Sequence, residues 1–230
     1  EGNKLTWHFE AENVHDFVWA ADKDYVHTVY KMTDGPQLHF FYKDQPDLKA
    51  NWEKLPAYTA QTFEYANAHY GEYPWSHYSV IQGGDGGMEY PMATLITGKR
   101  KLGSLVGVTV HEVMHSWYNG ALANNEGLYS WMDEGFTTFS STQIMDHLFQ
   151  KGEDIRRGSY YDSYIRLALS GKEEPMSQMA DHYQTFYAYG SAVYSKGAVF
   201  MAQLGYILGN DVMMDGLYRY FDTWKMKHPA

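Results

Sequence analysis

Between Thr109 and Trp117 the chain reads Thr-Val-His-Glu-Val-Met-His-Ser-Trp, and this stretch constrains the fold more than any other. On an α-helix, His111 and His115 would stand about 40° apart around the axis and about 6 Å apart along it, so both imidazoles could reach a single ion. With no cysteine in the chain, a metal at that point has to be held by imidazoles and carboxylates. Glu112, beside the first histidine, can address a water on the ion instead of the ion itself. Such a water has a pKa of about 7 on zinc, low enough for a neighbouring carboxylate to take its proton. The competing explanation is an amphipathic helix that buries two histidines as hydrogen-bonding core groups.

A third ligand would decide between them. Eighteen residues separate His115 from Glu134, which lies in Ser130-Trp131-Met132-Asp133-Glu134-Gly135-Phe136. Two histidines and a glutamate complete a catalytic zinc site of the thiolate-free kind. Taken alone, Glu134 is equally a carboxylate at a helix N-terminus, stabilised by the macrodipole. Its neighbour Asp133 has two roles open to it: orienting a ligating imidazole, or capping the helix.

The rest of the chain divides into a strand-rich front (about 1–102) and a helical back (about 103–230). Leu38, Phe40 and Tyr42 alternate with Gln37, His39 and Phe41, as in a half-buried strand. Residues 25–32 form its partner across the Thr33-Asp34-Gly35-Pro36 turn. Helical spacing runs from Asn51 to Tyr70, and strands are expected over 78–82 and 93–97, the first ended by Gly83-Gly84-Asp85-Gly86-Gly87. Ser104 is read as the N-cap of the histidine helix and Asn119-Gly120 as its stop. Further helices are expected to begin near Trp131, Glu153, Gln178, Ser191 and Asp211. The class is α+β, one unit with a seam between its halves.

Four segments together resemble a known family. The H-E-x-x-H pattern, the 18-residue interval and the E-G-F context are similar to the gluzincins, and within them to the M1 aminopeptidases. Gly86-Gly87-Met88-Glu89-Tyr90 resembles that family's G-x-M-E-N motif, with Tyr90 where the family has Asn. Val193-Tyr194-Ser195-Lys196-Gly197 resembles its Y-x-K-G segment, 60 residues beyond Glu134. The resemblance implies a thermolysin-like catalytic domain, a small mixed sheet beside a helical lobe, with one Zn2+ per chain on His111, His115 and Glu134. It implies Glu112 as the general base and Tyr194, near the start of a helix capped by Ser191, as donor to the oxyanion. It implies a substrate cradle of Gly86, Gly87, Met88 and Glu89, with Glu89 binding the free α-amine of a peptide. The expected activity is release of the N-terminal residue from peptides. Tyr90 leaves a related endopeptidase or a glycyl aminopeptidase-like enzyme open, and a catalytically silent zinc-containing peptide-binding domain is the alternative from another class.

Composition narrows the partners. The net charge is −10, and the one basic run, Lys99-Arg100-Lys101, reads as a solvated turn, so nucleic acid is not expected. No apolar stretch is long enough to span a membrane. The chain opens on Glu1 instead of Met, which reads as a processing boundary, so the lack of a leader is silent on export. The resemblance suggests an exported bacterial enzyme and implies flanking domains in the full-length protein. The other histidines, 11 in total less the two in the motif, lack ligand spacing and are assigned to surface or core.

Overall fold

The structure is a computed structural model that describes residues 4–150 and 158–230. Its first half carries a five-stranded mixed sheet in the order β1-β2-β3-β5-β4. Strands β1 (Tyr25–Lys31) and β2 (Gln37–Lys43) form an antiparallel hairpin with Tyr25 opposite Lys43. β3 (His77–Gly83) runs parallel to both β2 and β5 (Ala93–Thr97). β4 (Gly87–Tyr90) turns back antiparallel on β5 and forms one edge of the sheet. The glycine run therefore does more than end β3, because its last residue starts an edge strand.

Alternation sets the burial, since side chains on a strand point to opposite faces in turn. Leu38, Phe40 and Tyr42 of β2 are buried with Tyr78 and Val80 of β3 and Ile96 of β5. On the opposite face His27, His39 and Phe41 stack, with His27 and Phe41 centroids 4.3 Å apart.

Two helices connect β2 to β3, α1 (Pro46–Trp52) and α2 (Leu55–Tyr70). The helical stretch thus begins earlier than the expected Asn51, because Pro46 at the first helical turn is preorganised for a start. Beyond the sheet come α3 (Leu102–His115), α4 (Glu126–Phe149), α5 (Ser159–Leu169), α6 (Phe186–Gly190), α7 (Gly197–Leu208) and α8 (Asn210–Trp224). One continuous hydrophobic cluster joins both halves, from Phe40 and Val80 in the sheet through Phe63 and Tyr70 on α2 to Val110 and Trp117 and on to Phe221 of α8. The fold matches the α+β expectation.

Several helix boundaries differ from those expected. Ser104 does not cap α3; the helix starts at Leu102 after an extended Lys101, and the Ser104 hydroxyl accepts from Arg100 instead. Arg100 also donates to Thr97 and to the Gly86 carbonyl, so the basic run is partly a clamp on the glycine loop and not only solvated. Asn119-Gly120 does not stop the helix. The chain widens into a π-helical turn over Ser116–Ala121, because the Asn119 amide is engaged by carboxylates and does not cap. α4 begins at Glu126, capped by Asn125, five residues before Trp131; a kink at Tyr129 (φ −127°, ψ 43°) marks where the regular pattern resumes. The start near Glu153 lies outside the described residues. Near Gln178 there is only a single 3-10 turn, Ala180–His182. That segment is tied down by side chains: Tyr183 donates to the Pro175 carbonyl, and Glu174 accepts from Gln178 and from the Gln184 backbone. Ser191 is no N-cap, because Thr185 takes that role for α6 and the helix continues through a π segment, Ser191–Lys196, into α7.

Gly71 ends α2 with a φ of +113°, and its carbonyl accepts from the Trp117 indole at 2.7 Å. A Cβ there would run into the Phe221 ring. Gly71→Ala is expected to destabilise the fold by at least about 2 kcal/mol, from left-handed strain plus overpacking, read as a lower urea midpoint at unchanged slope.

Candidate active site

α3 runs through the middle of the molecule, buried on most of its surface, and at its C-terminal end it carries polar groups into the interior. Val110, Val113 and Met114 hold it in the core, while His111, Glu112 and His115 face a cleft of about 330 Å3. The cleft lies between α3, the edge strand β4, the start of α4 and the π segment before α7.

His111 Nε2 and His115 Nε2 are 3.2 Å apart, and each lies 3.3 Å from Glu134 Oε2. Tetrahedral zinc with ligands at about 2.0–2.1 Å separates any two of them by about 3.3 Å, so this near-equilateral triangle fits the ion. Glu134 Oε2 is buried and makes no hydrogen bond, a costly state for a carboxylate oxygen unless a cation faces it. Three ligating atoms converging on one point fit a metal better than a hydrogen-bonded core. The two histidines and Glu134 therefore form a set that can hold Zn2+.

The surrounding contacts orient that set. His115 Nδ1 is 2.5 Å from Asp133 Oδ1, which makes Nδ1 a donor to that carboxylate and turns Nε2 toward His111 and Glu134, where an ion would displace its proton. Asn119 donates to Asp133 Oδ2 at 3.1 Å and to Glu126 Oε2 at 2.9 Å. Asp133 thus takes the orienting role and not the capping one, which falls to Asn125. Burial works against a charged His115, but the Asp133 and Glu134 carboxylates outweigh it and raise its pKa well above the usual range. Burial lowers the pKa of His111.

Glu112 is 5% exposed. Burial first, then the Glu89, Glu134 and Asp133 charges, push its pKa up to about 8. Glu89, on β4, is raised to about 7 by burial and by Asp133 and Glu134. β4 comes this close because Gly87 has no side chain: a Cβ there would collide with the Glu112 carboxylate and with Val108. Tyr194 donates to Glu134 Oε1 at 2.5 Å, and its ring lies nearly parallel to that of His111. Burial and the Glu134 charge hold the tyrosine firmly protonated. Tyr194 reaches this point because α4 and α7 cross with backbones in contact, a Cβ on Gly135 lying only 2.9 Å from the Gly197 Cα.

His111, His115, Glu134, Glu112, Tyr194, Gly87, Met88 and Glu89 therefore meet in one cleft. Gly86 does not line it; it is exposed, with its carbonyl held by Arg100. Three groups in the cleft escaped the sequence argument: Asn119, Glu126 and Tyr189. Asn119 was foreshadowed, since it continues the four-residue ladder of His111 and His115. Tyr189 precedes Tyr194 by five residues, a spacing that shares a face only across a π turn.

A model of the peptidase family M1 domain matches residues 57–229. The chain belongs to peptidase family M1. Aminopeptidase B of Rattus norvegicus is 26% identical over 171 residues, spanning 69% of this chain and 26% of that protein. Leukotriene A-4 hydrolase of Xenopus laevis is 26% identical over 185 residues, spanning 74% and 30%. The chain thus covers between a quarter and a third of these M1 relatives. Among solved structures, an M1 zinc metallopeptidase from Deinococcus radiodurans superposes with a TM-score of 0.67 at 18% identity, over 88% of this chain and 44% of that one. Yeast LTA4 hydrolase in complex with Bestatin gives 0.68 at 21% identity, over 88% and 34%. These likenesses establish the thermolysin-like M1 fold.

Asp133→Asn keeps the volume but removes the charged acceptor from His115. It is expected to weaken Zn2+ binding about 10- to 100-fold, read by competition with a chromogenic chelator.

Proposed function

We propose that this chain is the catalytic module of a zinc-dependent aminopeptidase that releases the N-terminal residue from peptides. The observation that carries the proposal is the 3.2–3.3 Å triangle of His111, His115 and Glu134 with Glu112 and Tyr194 in the same cleft. Membership of the M1 family and relatives named aminopeptidase B and leucine aminopeptidase 2 support it. His111, His115 and Glu134 hold one Zn2+ per chain. When bound, the ion supplies Lewis-acid polarisation of the scissile carbonyl and acidifies a nearby water.

This chain's own residues carry the protons. Glu112 takes a proton from the attacking water and returns it to the leaving amine, a task suited to a carboxyl with a pKa near 8. Tyr194, kept protonated by burial and by Glu134, donates to the oxygen on which negative charge develops. Glu89 pairs with the substrate α-ammonium, a charge-assisted contact that restricts cleavage to the first peptide bond. The free edge of β4, with Gly87 and Met88, takes the substrate backbone as an added strand.

That the matched segment spans only 26–30% of aminopeptidase B and leukotriene A-4 hydrolase supports flanking domains in the full-length protein that help enclose the amine end. No helix among the described residues is long and apolar enough to cross a membrane.

Two measurements test the proposal. Zinc content after stripping and re-adding metal should be about one per chain and fall in Glu134→Ala, as expected when that carboxylate is a ligand. Peptides with a free N-terminus should be cleaved and their N-acetyl forms not; cleavage of both would make the enzyme an endopeptidase, and zinc binding with no cleavage of either would make it a silent binding domain. Gly87→Ala should keep its zinc yet lose at least about 100-fold in kcat, because the added methyl displaces Glu112.

A further inference from the structure

The His115 ring has two acceptors beside its Nδ1: Asp133 Oδ1 at 2.5 Å and Thr137 Oγ1 at 3.4 Å. The first is a charged acceptor at short range, the second a neutral one at the limit of a hydrogen bond. Which of them sets the ring depends on whether the Asp133 carboxylate is held. An unrestrained aspartate turns about its last side-chain bond, a broad torsion with no steep well. Here Asn119 holds the other oxygen, its Nδ2 donating to Asp133 Oδ2 at 3.1 Å. One hydrogen bond on each oxygen fixes the plane of the carboxylate.

Asparagine suits this position. Its amide nitrogen carries two protons, and two carboxylates receive them: Asp133 Oδ2, and Glu126 Oε2 at 2.9 Å. Oxygens of those two carboxylates lie within 4.8 Å of each other, so without a donor between them they would repel. The reverse setting of the amide would turn its oxygen on both, so the partners decide its orientation. Asn119 and Asp133 are 6% and 3% exposed, and burial makes each missing bond costly. Asn119 reaches Asp133 from the π-helical turn that follows His115. The histidine and the residue that steadies its partner therefore sit on one continuous stretch of backbone. A scaffold role is the alternative: the bond to Glu126 ties that turn to the first turn of α4, and would do so whatever Asp133 did.

We propose that Asn119 is a positioning residue for the zinc site, locking the Asp133 carboxylate so that His115 is held with Nε2 toward the metal. The inference rests on the metal assignment made above. A ring already aimed loses little freedom when the ion arrives, so Asn119 raises zinc affinity without touching the metal or its ligands.

The test measures Zn2+ affinity by chelator competition for the parent, Asn119→Leu, Asp133→Asn and the double variant. Leucine matches asparagine closely in size and offers no hydrogen bond. Asn119→Leu should bind Zn2+ about 3- to 10-fold more weakly than the parent, a smaller loss than that of Asp133→Asn. In the Asp133→Asn background the same substitution should cost less than about twofold, because the group through which it acts is already gone. In the metal-free protein, the His115 Nδ1 proton seen by NMR should move upfield in Asn119→Leu as its bond to Asp133 loosens, with the melting temperature little changed. Asn119→Ala gives the same comparisons if the leucine variant does not fold. Unchanged zinc affinity, or an unmoved Nδ1 proton, overturns the proposal. Equal losses in both backgrounds also overturn it, since Asn119 would then serve the scaffold through Glu126. Failure of the metal assignment is separately visible: the parent would hold no zinc, and the NMR comparison would still read the coupling of Asn119 to His115.

Discussion

The site depends on a place where two helices touch without side chains. Gly135 follows Glu134, Gly197 comes three residues after Tyr194, and the two backbones approach so closely that a Cβ on Gly197 would sit 2.8 Å from the Gly135 Cα. Helix axes are normally held 8–10 Å apart by the side chains between them. Here the missing side chains let α7 lie directly on α4, which brings the Tyr194 hydroxyl onto the Glu134 carboxylate. The two glycines of the E-G-F and Y-x-K-G segments are thus one structural feature read twice in the sequence.

A second constraint is electrostatic. Glu89, Glu112, Glu126, Asp133 and Glu134 gather round one cleft, and burial penalises their charges. Folding brings them together because the hydrophobic cluster on α3 and its neighbours outweighs that penalty, and each carboxylate is given some relief. Asp133 has Asn119 and His115, and Glu134 has Tyr194 on one oxygen and faces His111 and His115 with the other. Glu89 and Glu112 have the least, and their raised pKa values record it. Groups left in that state inside a cleft are the ones suited to proton transfer or to gripping a cation.

The sequence made the chemistry more legible than the helix ends. H-E-x-x-H and the interval to Glu134 identified three groups that the fold brings within 3.3 Å, because local helical geometry and one helix-to-helix return are enough to assemble them. β2 was legible because one face is buried and the other is not. The caps failed for a common reason: Ser104 and Asn119 have hydrogen-bonding side chains that found partners elsewhere, Ser104 with Arg100 and Asn119 with Glu126 and Asp133. Ser191 failed because Thr185 had already opened the helix. Glu126 stayed hidden because a carboxylate in a first helical turn looks ordinary until the fold shows what it faces. Tyr189 stayed hidden because nothing local announces a π turn.

That π segment, Ser191–Lys196, also governs how the region could vary. A π turn is in effect one extra residue accommodated in an α-helix. In regular α geometry two residues five apart stand about 140° from each other around the axis, so closing the turn with every residue kept would leave only one of Tyr189 and Tyr194 facing the cleft. Removing one residue between them would instead set them four apart, about 40° from each other, and they would still share a face. The segment can therefore lose its extra residue and its π turn together, but not the π turn alone.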